Sequence, residues 1–133
     1  MSPRPPRLAP GSLIGLVEVI DPGARTTIQD LGRPGHAHLG VPASGAADQD
    51  SCTLANRLVG NAEGAPVLET TLRGPVLRFA VPATVALAGA DVEATADGRP
   101  VAMRAPFRIR QGGKLRVGVA TRGLRTYIAI RGE

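Results

Sequence analysis

Apolar and polar positions alternate through the second half of the chain. The alternation predicts strands over residues 67–72, 76–80, 84–88, 91–96, 100–103, 107–110, 114–120 and 125–131. Leu115, Val117 and Val119 are expected to face a core, while Lys114 and Arg116 are expected to face solvent. Many short antiparallel strands separated by turn signals indicate a β-sandwich or β-barrel. Strands and helices do not alternate in a βαβ pattern, which argues against a Rossmann-like fold.

The last predicted strand alternates in the same way, with Ile128 and Ile130 on one face and Tyr127 and Arg131 on the other. Two more strands are predicted earlier in the chain, over residues 13–20 and 25–29, separated by a turn at Asp-Pro-Gly. The proline-rich residues 1–12 show no apolar period, so we expect a disordered extension there and a single domain over residues 13–133.

One amphipathic helix is predicted, over residues 48–59. Acidic Asp48 and Asp50 lie in its first turn, where the helix dipole favours negative charge, and Gly60 supplies a left-handed stop. Ser44 is a candidate N-cap one turn earlier. The helix is expected to lie on the sheet through a stripe of apolar side chains, Leu54, Ala55, Leu58 and Val59.

Composition narrows the class of protein. The chain has 133 residues, 43% of them hydrophobic, which fits one domain with a core. The net charge is +5, but the arginines are spread along the chain and aromatic residues make up only 2%, so we expect no nucleic-acid binding and a diffuse attraction for small anions. Glu18 interrupts the longest early apolar run, so we expect no membrane span. The proline-rich residues 1–12 do not resemble a signal peptide, so we expect a cytoplasmic protein.

Residues 30–45 are rich in glycine and proline and predict a long loop, which in a compact domain is usually functional. His36 and His38 form an H-x-H pair that could offer two metal ligands, with Asp30, Asp48 or Asp50 as a third. Ordinary loop histidines are the preferred interpretation because no further His or Cys has ligand spacing, and we assign no metal.

Other motifs are weighed against plainer roles. Gly32, Gly35 and Gly40 with Arg33 could cradle an anion, or could serve only turn geometry, and no nucleotide-binding motif is met. Ser44 is preferred as an N-cap over a nucleophile. The single cysteine, Cys52, excludes an internal disulfide and is preferred as a small buried residue over a reactive thiolate.

Asn56 lies on the predicted helix and Glu69 on a predicted strand. Both could contact a polar substrate if they line a cleft, or could belong to a solvated face, which is the preferred interpretation from these residues alone.

A series of sequence blocks carries a resemblance. The blocks are VIDPG at 19–23, TTIQDLGRPG at 26–35, HLGVPASGAAD at 38–48, LANRLVGN at 54–61, LETTLRGP at 68–75, ALAGAD at 86–91 and GLRTYIAIRG at 123–132. In this order they resemble the beginning of the biotin-dependent carboxyltransferase family, which includes the C-type subunit of 5-oxoprolinase, the KipI antagonist, allophanate hydrolase subunit 2 and the carboxyltransferase A-B subdomains of urea amidolyase.

The resemblance implies a mostly β, cyclophilin-like β-barrel with one short helix, over residues 13–133. It implies a subunit of an ATP-dependent 5-oxoprolinase-type complex, paired with a second cyclophilin-like subunit, the B-type subunit of 5-oxoprolinase. ATP would be bound by the complex, since no motif for it lies in this chain. The candidates for contact with a small amide or carboxylate substrate are Arg33, His38, Ser44, Asp48, Asn56 and Glu69.

Alternatives remain open within the same resemblance. An allophanate hydrolase or urea carboxylase-type carboxyltransferase subunit is one, and a non-catalytic regulatory binding partner is another. Because family members continue past the position that matches residue 133, we expect this chain to hold only the N-terminal part of the barrel, and an inactive fragment is the third alternative.

Overall fold

The computed structural model describes residues 13–14, 17–29 and 47–132. The elements in chain order are β1 Leu13–Ile14, β2 Val17–Asp21, β3 Arg25–Gln29, α1 Gln49–Val59, β4 Val67–Thr71, β5 Val76–Phe79, β6 Ala83–Ala96, β7 Arg99–Val101, β8 Phe107–Ile109 and β9 Lys114–Gly132. The prediction of a mostly β fold with one short helix is confirmed. The expected disordered extension over residues 1–12 lies outside the described residues.

In two places, a pair of predicted strands forms one long strand in the structure. Residues 84–88 and 91–96 belong to β6, and residues 114–120 and 125–131 belong to β9. The register between these strands shifts around Gly89 and Asp91, so the chain bends there without leaving the sheet. Gly89 and Gly123 adopt positive φ at the bends, and glycine in a strand sequence marks a bend as readily as a break.

The pairing of β6 with β9 runs through the whole molecule, from Ala83 opposite Gly132 to Ala96 opposite Leu115. At one end of β9, strand β4 lies on its other edge and β3 follows outside β4. At the other end, β5 takes that edge and is followed by β2 and β1. The sheet therefore has two halves that share two bent strands, which gives a curled half-barrel.

The larger core lies on one face of the curled sheet. Its members come from most of the strands, and its largest side chains with no solvent exposure are Phe79, Leu77, Leu87, Leu115 and Ile128. Residues on alternate positions of β6, such as Val85 and Leu87, supply this face. The core is aliphatic, as the composition predicts, with Phe79 as its one fully buried phenylalanine among the described residues.

Val119 departs from the predicted alternation. Leu115 and Val117 are buried as expected, but Val119 is 60% exposed. Val117 pairs with Ala94 and Ala120 pairs with Val92, so β9 has one more residue than β6 between these pairs. An extra residue in one strand moves the alternation by one position, so Ala120 instead of Val119 packs against the core.

The opposite face of the sheet is covered by α1. The second core cluster joins Cys52, Ala55 and Val59 of the helix to small sheet residues and to Tyr127. Tyr127 faces away from Ile128, as predicted. The sheet face on which it lies is also buried, and Tyr127 has no solvent exposure. Alanine at three of the sheet positions, Ala86, Ala88 and Ala129, leaves room for the helix to approach closely.

The helix packs through a stripe that overlaps the predicted one: Ala55 and Val59 are buried and Leu58 is half-buried, but Leu54 is 37% exposed. The fully buried residues are Cys52, Ala55, Asn56 and Val59. Their spacing i, i+3, i+4 and i+7 is that of a single helix face. Burial of Cys52 is confirmed.

Both helix ends are capped. Gly60 has φ 82°, which confirms the predicted left-handed stop. Asp48, with an extended backbone, is the N-cap of α1, whereas Ser44, the predicted candidate, lies outside the described residues. Asp48 takes this role because its carboxylate reaches the N–H of Ser51 at the start of the helix.

Gly89→Ala is expected to destabilise the protein far more than Gly98→Ala. Both glycines have positive φ, which strains any other residue, but a Cβ at Gly98 meets nothing within 4 Å. A Cβ at Gly89 would lie 2.6 Å from the carbonyl oxygen of Arg125. We expect Gly89→Ala to lower the free energy of unfolding by about 1–3 kcal/mol more than Gly98→Ala, measured by urea unfolding. Equal losses would contradict the close approach of β6 to β9.

Candidate functional site

A polar cleft forms where the two long strands bend. It has a volume of about 580 Å³. Its walls are formed by Ala47 and Asp48 just before α1, by residues 89–91 of β6, by residues 122–125 of β9 and by Arg104. We call it the polar cleft. The bends of β6 and β9 bring charged side chains of different strands to one opening beside the helix N-terminus.

Asp48 lies at the helix end of the polar cleft, and its carboxylate is held by the first turn. The N–H of Ser51 donates to one carboxylate oxygen at 3.0 Å, and the Ser51 hydroxyl donates to the other at 2.6 Å. The hydroxyl first, and then the N–H, hold the pKa of Asp48 below its ordinary value, so the group is an anion at neutral pH.

Glu69 on β4 and Tyr127 on β9 are paired directly across the two strands. The Tyr127 hydroxyl donates to Glu69 Oε2 at 2.7 Å and accepts the N–H of Asp48 at 2.9 Å. The N–H of Ala47 donates to the same Glu69 oxygen at 3.0 Å. These bonds join the sheet to the residues that lead into α1.

Tyr127 remains a neutral phenol throughout the physiological range. Burial raises the pKa of Tyr127, and its hydrogen bond to the Glu69 carboxylate raises the pKa further, because an ionised phenol there would face a second anion. The hydroxyl hydrogen is therefore always available to Glu69.

Three arginines reach the polar cleft, and they differ in how their charge is balanced. Arg104 Nη2 donates to Asp91 Oδ1 at 2.9 Å, and its backbone is held at φ 56° by a bond from its N–H to Leu87 O at 2.8 Å. Arg125 Nε lies 3.8 Å from Glu69 Oε1, which is an ion pair without a direct hydrogen bond.

Arg122 is exposed, and no carboxylate in the described part of the chain forms an ion pair with it. The polar cleft therefore holds one arginine and one carboxylate, Arg122 and Asp48, that have no described ion-pair partner, beside two arginines that do. A small anion is the ligand that this arrangement favours.

The predicted site residues divide into two groups. Arg33, His38 and Ser44 lie outside the described residues, as do His36 and Asp30, which were considered for metal binding. Across residues 17–29 and 47–132, no cluster of three or more His, Cys, Asp or Glu side chains could hold a metal ion. Asp48 and Glu69 are brought together, with the Tyr127 hydroxyl between them.

Asn56 is placed elsewhere. It is fully buried, and its amide nitrogen donates to the carbonyls of Glu63 and Ala65, at 3.1 and 2.8 Å. These bonds hold the segment that connects α1 to β4. Contact between Asn56 and substrate stays a prediction, but its two amide hydrogens are already committed to the main chain.

Residue-by-residue reasoning missed Tyr127, Arg122 and Arg125 as site residues. Tyr127 and Arg125 lie in a predicted strand, where alternation alone assigns them to packing or to solvent, and Arg122 lies between two predicted strands. A signal was nevertheless present, since charged residues lie within two positions of strand glycines, Asp91 near Gly89 and both Arg122 and Arg125 near Gly123, where a sheet bends.

A second cleft of about 370 Å³ opens on the larger core near Phe79, Ile128 and Ile130. Only apolar side chains, proline and glycine line it. It offers no group for acid–base chemistry or for holding an anion, so the polar cleft is the candidate site.

Comparison with known proteins decides the family. The profile of the family described as "Carboxyltransferase domain, subdomain A and B" matches residues 39–133. The chain belongs to this family. The matched region includes every wall of the polar cleft, so the site lies within the carboxyltransferase subdomains.

Several members of known identity are similar to this carboxyltransferase chain. Urea amidolyase of Saccharomyces cerevisiae is 41% identical over 117 residues, which cover 87% of this chain. The C-type subunit of 5-oxoprolinase from Haemophilus influenzae is 33% identical over 117 residues, which cover 88% of this chain. The crystal structure of K. lactis urea amidolyase matches 98% of this chain with a TM-score of 0.82 and 39% identity.

The chain spans only part of these relatives. It covers 6% of the yeast urea amidolyase sequence, 38% of the Haemophilus influenzae protein and 7% of the K. lactis structure. Among the described residues, no helix has the length and apolar character needed to cross a membrane.

Asp48→Asn is expected to reduce the loss of stability at acid pH. Because the pKa of Asp48 is lowered in the folded state, its stabilisation is complete above the ordinary Asp pKa of about 4 and is lost as the pH falls through the lower, folded value. We therefore expect the fall in urea midpoint below about pH 4 to be smaller in Asp48→Asn than in the wild type. Asp50→Asn, which removes a carboxylate from the same turn but leaves the cap, is the control. A wild-type acid profile in Asp48→Asn would contradict the assignment.

Proposed function

We propose that this chain forms one wall of a substrate site in an ATP-dependent complex of the 5-oxoprolinase type. The substrate is a small molecule that carries both a carboxylate and an amide, as 5-oxoproline does. Membership of the carboxyltransferase family supports this proposal, as does similarity to the C-type subunit of a 5-oxoprolinase. ATP is bound by other parts of the complex, since the sequence carries no nucleotide-binding motif.

The observation that carries the proposal is the charge of the polar cleft. Arg122 has no described carboxylate partner, and Arg125 is tethered to Glu69 only at 3.8 Å. A substrate carboxylate placed between them gains charge-assisted hydrogen bonds without breaking an existing one. Arg104 is less available because Asp91 already accepts from it at 2.9 Å.

A second candidate is carboxyl transfer in a urea carboxylase-type enzyme. Its support is the 41% identity to yeast urea amidolyase, which exceeds the 33% identity to the 5-oxoprolinase relative. Urea that has been carboxylated on nitrogen also carries a carboxylate next to an amide, so the same cleft chemistry serves both candidates.

The partner that we propose is a second cyclophilin-like subunit, in a cytoplasmic complex. β3 lies at the end of the strand order, so its outer edge is paired with no other described strand. Such an edge presents main-chain N–H and C=O groups that a partner strand can pair with. Within the complex, residues 13–133 act as one structural unit.

The experiment is an ATPase assay on this chain co-expressed and purified with its partner subunit. ATP hydrolysis that depends on 5-oxoproline supports the main candidate. Hydrolysis that depends on urea and bicarbonate, in the presence of biotin-carrying components, supports the second. A stable complex that hydrolyses ATP with neither substrate overturns both and favours a non-catalytic binding partner, whereas failure to fold or to form a complex favours an inactive fragment.

Arg122→Gln is expected to raise KM for the carboxylate substrate by about tenfold or more, the effect of losing a hydrogen bond to a charged group. kcat should change much less, because the substrate carboxylate keeps its charge through the reaction and binding is lost equally in ground and transition states. Arg99→Gln removes the same charge from exposed β7 and serves as the control. An unchanged KM in Arg122→Gln would exclude Arg122 from substrate binding.

A further inference from the structure

The Glu69 carboxylate contacts two residues that line the polar cleft, Ala47 and Arg125. Oε2 accepts from the Ala47 N–H at 3.0 Å and from the Tyr127 hydroxyl at 2.7 Å. Oε1 faces Arg125 Nε at 3.8 Å. One carboxylate therefore links the main chain just before α1 to an arginine of β9.

Strand register makes this arrangement specific. Glu69 pairs with Tyr127 across β4 and β9, and Arg125 lies two residues before Tyr127 on β9. Residues two apart on a strand share a face, so Arg125 is a diagonal neighbour of Glu69. The Glu69 side chain is only 12% exposed, which restricts its alternative positions.

Tyr127 fixes the position of Glu69. Its ring is fully buried beneath α1, and its hydroxyl is held between the Asp48 N–H and Glu69 Oε2. A buried hydroxyl with two good hydrogen bonds has little freedom to reorient. Glu69 in turn holds Arg125 by charge, at a distance that leaves the guanidinium without a direct hydrogen bond to it.

We propose that Glu69 and Tyr127 are positioning residues of the polar cleft. Together they hold Arg125 on one wall and the Ala47–Asp48 main chain on the other in the arrangement that receives a small carboxylate. Occupation of the cleft is thereby coupled to the order of the two residues that precede α1, Ala47 and Asp48. The proposal rests on the proposed function for the class of ligand, but not for the identity of the substrate.

The contrast with Arg104 supports the role of Arg125. Arg104 Nη2 donates directly to Asp91 Oδ1 at 2.9 Å, so this donor of Arg104 is already used. Arg125 has its counter-ion nearly 1 Å further away, at 3.8 Å. It is therefore oriented but still able to donate to a ligand, which is the state that pre-organised anion binding requires.

The plainer role for Tyr127 is to attach the helix to the sheet. Asn61 offers a matched control for that role, because its amide donates to Ile130 O at 3.0 Å and attaches the other end of α1 to the same strand. The helix has 11 residues. At 1.5 Å per residue its two ends are roughly 16 Å apart, so Asn61→Ala weakens attachment far from the polar cleft.

The test compares Tyr127→Phe, Glu69→Gln and Asn61→Ala with the wild type in the assembled complex. We expect Tyr127→Phe and Glu69→Gln to raise KM by about tenfold, with kcat changed less than KM, because each removes a hydrogen bond that places a binding group. Asn61→Ala is expected to lower the melting temperature without changing KM.

Amide hydrogen exchange on the same proteins gives a readout that does not depend on turnover. Acetate, a small carboxylate, should slow exchange at Ala47 and Asp48 in the wild type and in Asn61→Ala, but not in Tyr127→Phe, relative to chloride at equal ionic strength. Tyr127→Phe should also exchange the Asp48 amide faster without ligand, because its acceptor is gone.

The outcomes separate the two proposals. If acetate slows amide exchange at Ala47 and Asp48 in the wild type but not in Tyr127→Phe, the positioning proposal is supported. If neither 5-oxoproline nor urea is then turned over, only the proposed function fails. If acetate does not slow exchange in the wild type, or if Tyr127→Phe keeps the wild-type KM and differs only in melting temperature, the positioning proposal is overturned.

Discussion

β6 and β9 are paired along almost their whole lengths, and the other elements take their positions from this pair. β4 and β5 occupy the two ends of the free edge of β9, and β7 and β8 pair with β6. The pair can serve both halves of the sheet only because it bends, which requires Gly89 to lie against the carbonyl of Arg125. The same bends open the polar cleft, so the element that organises the fold also creates the site.

Both faces of the sheet are buried around Tyr127 and Ile128, so β9 contributes both to the larger core and to the surroundings of the polar cleft. Ile128 packs into the larger core, while Tyr127 next to it lies under α1 and carries its hydroxyl to Asp48 and Glu69. A buried tyrosine costs little when its hydroxyl has partners, and here one partner, Asp48, lies in the cleft wall and the other, Glu69, lies behind it against Ala47 and Arg125. Packing of the helix and placement of the cleft residues therefore depend on one side chain.

The sequence predicted much of the fold and less of the site. Strand positions, the helix and the stop at Gly60 follow from alternation, periodicity and turn residues, which are local properties. The continuity of β6, the outward turn of Val119 and the burial of Tyr127 depend on pairing between distant segments, which a single sequence does not display. Asp48 and Glu69 were predicted separately, and only the register of β4 with β9 shows what joins them. The family resemblance added what local reasoning could not, namely the family that the comparisons confirm.

The extra residue in β9 between Val117 and Ala120 has a consequence for how this region can vary. Val119 points outward, and the strand has one residue more than its partner at this point. Deleting that residue would restore a regular ladder and keep Ala120 opposite Val92, so Ile128 would stay in the larger core and Tyr127 under α1. A deletion should therefore be tolerated better here than in the regular ladder around Tyr127, where it would reverse the facing of the side chains that follow.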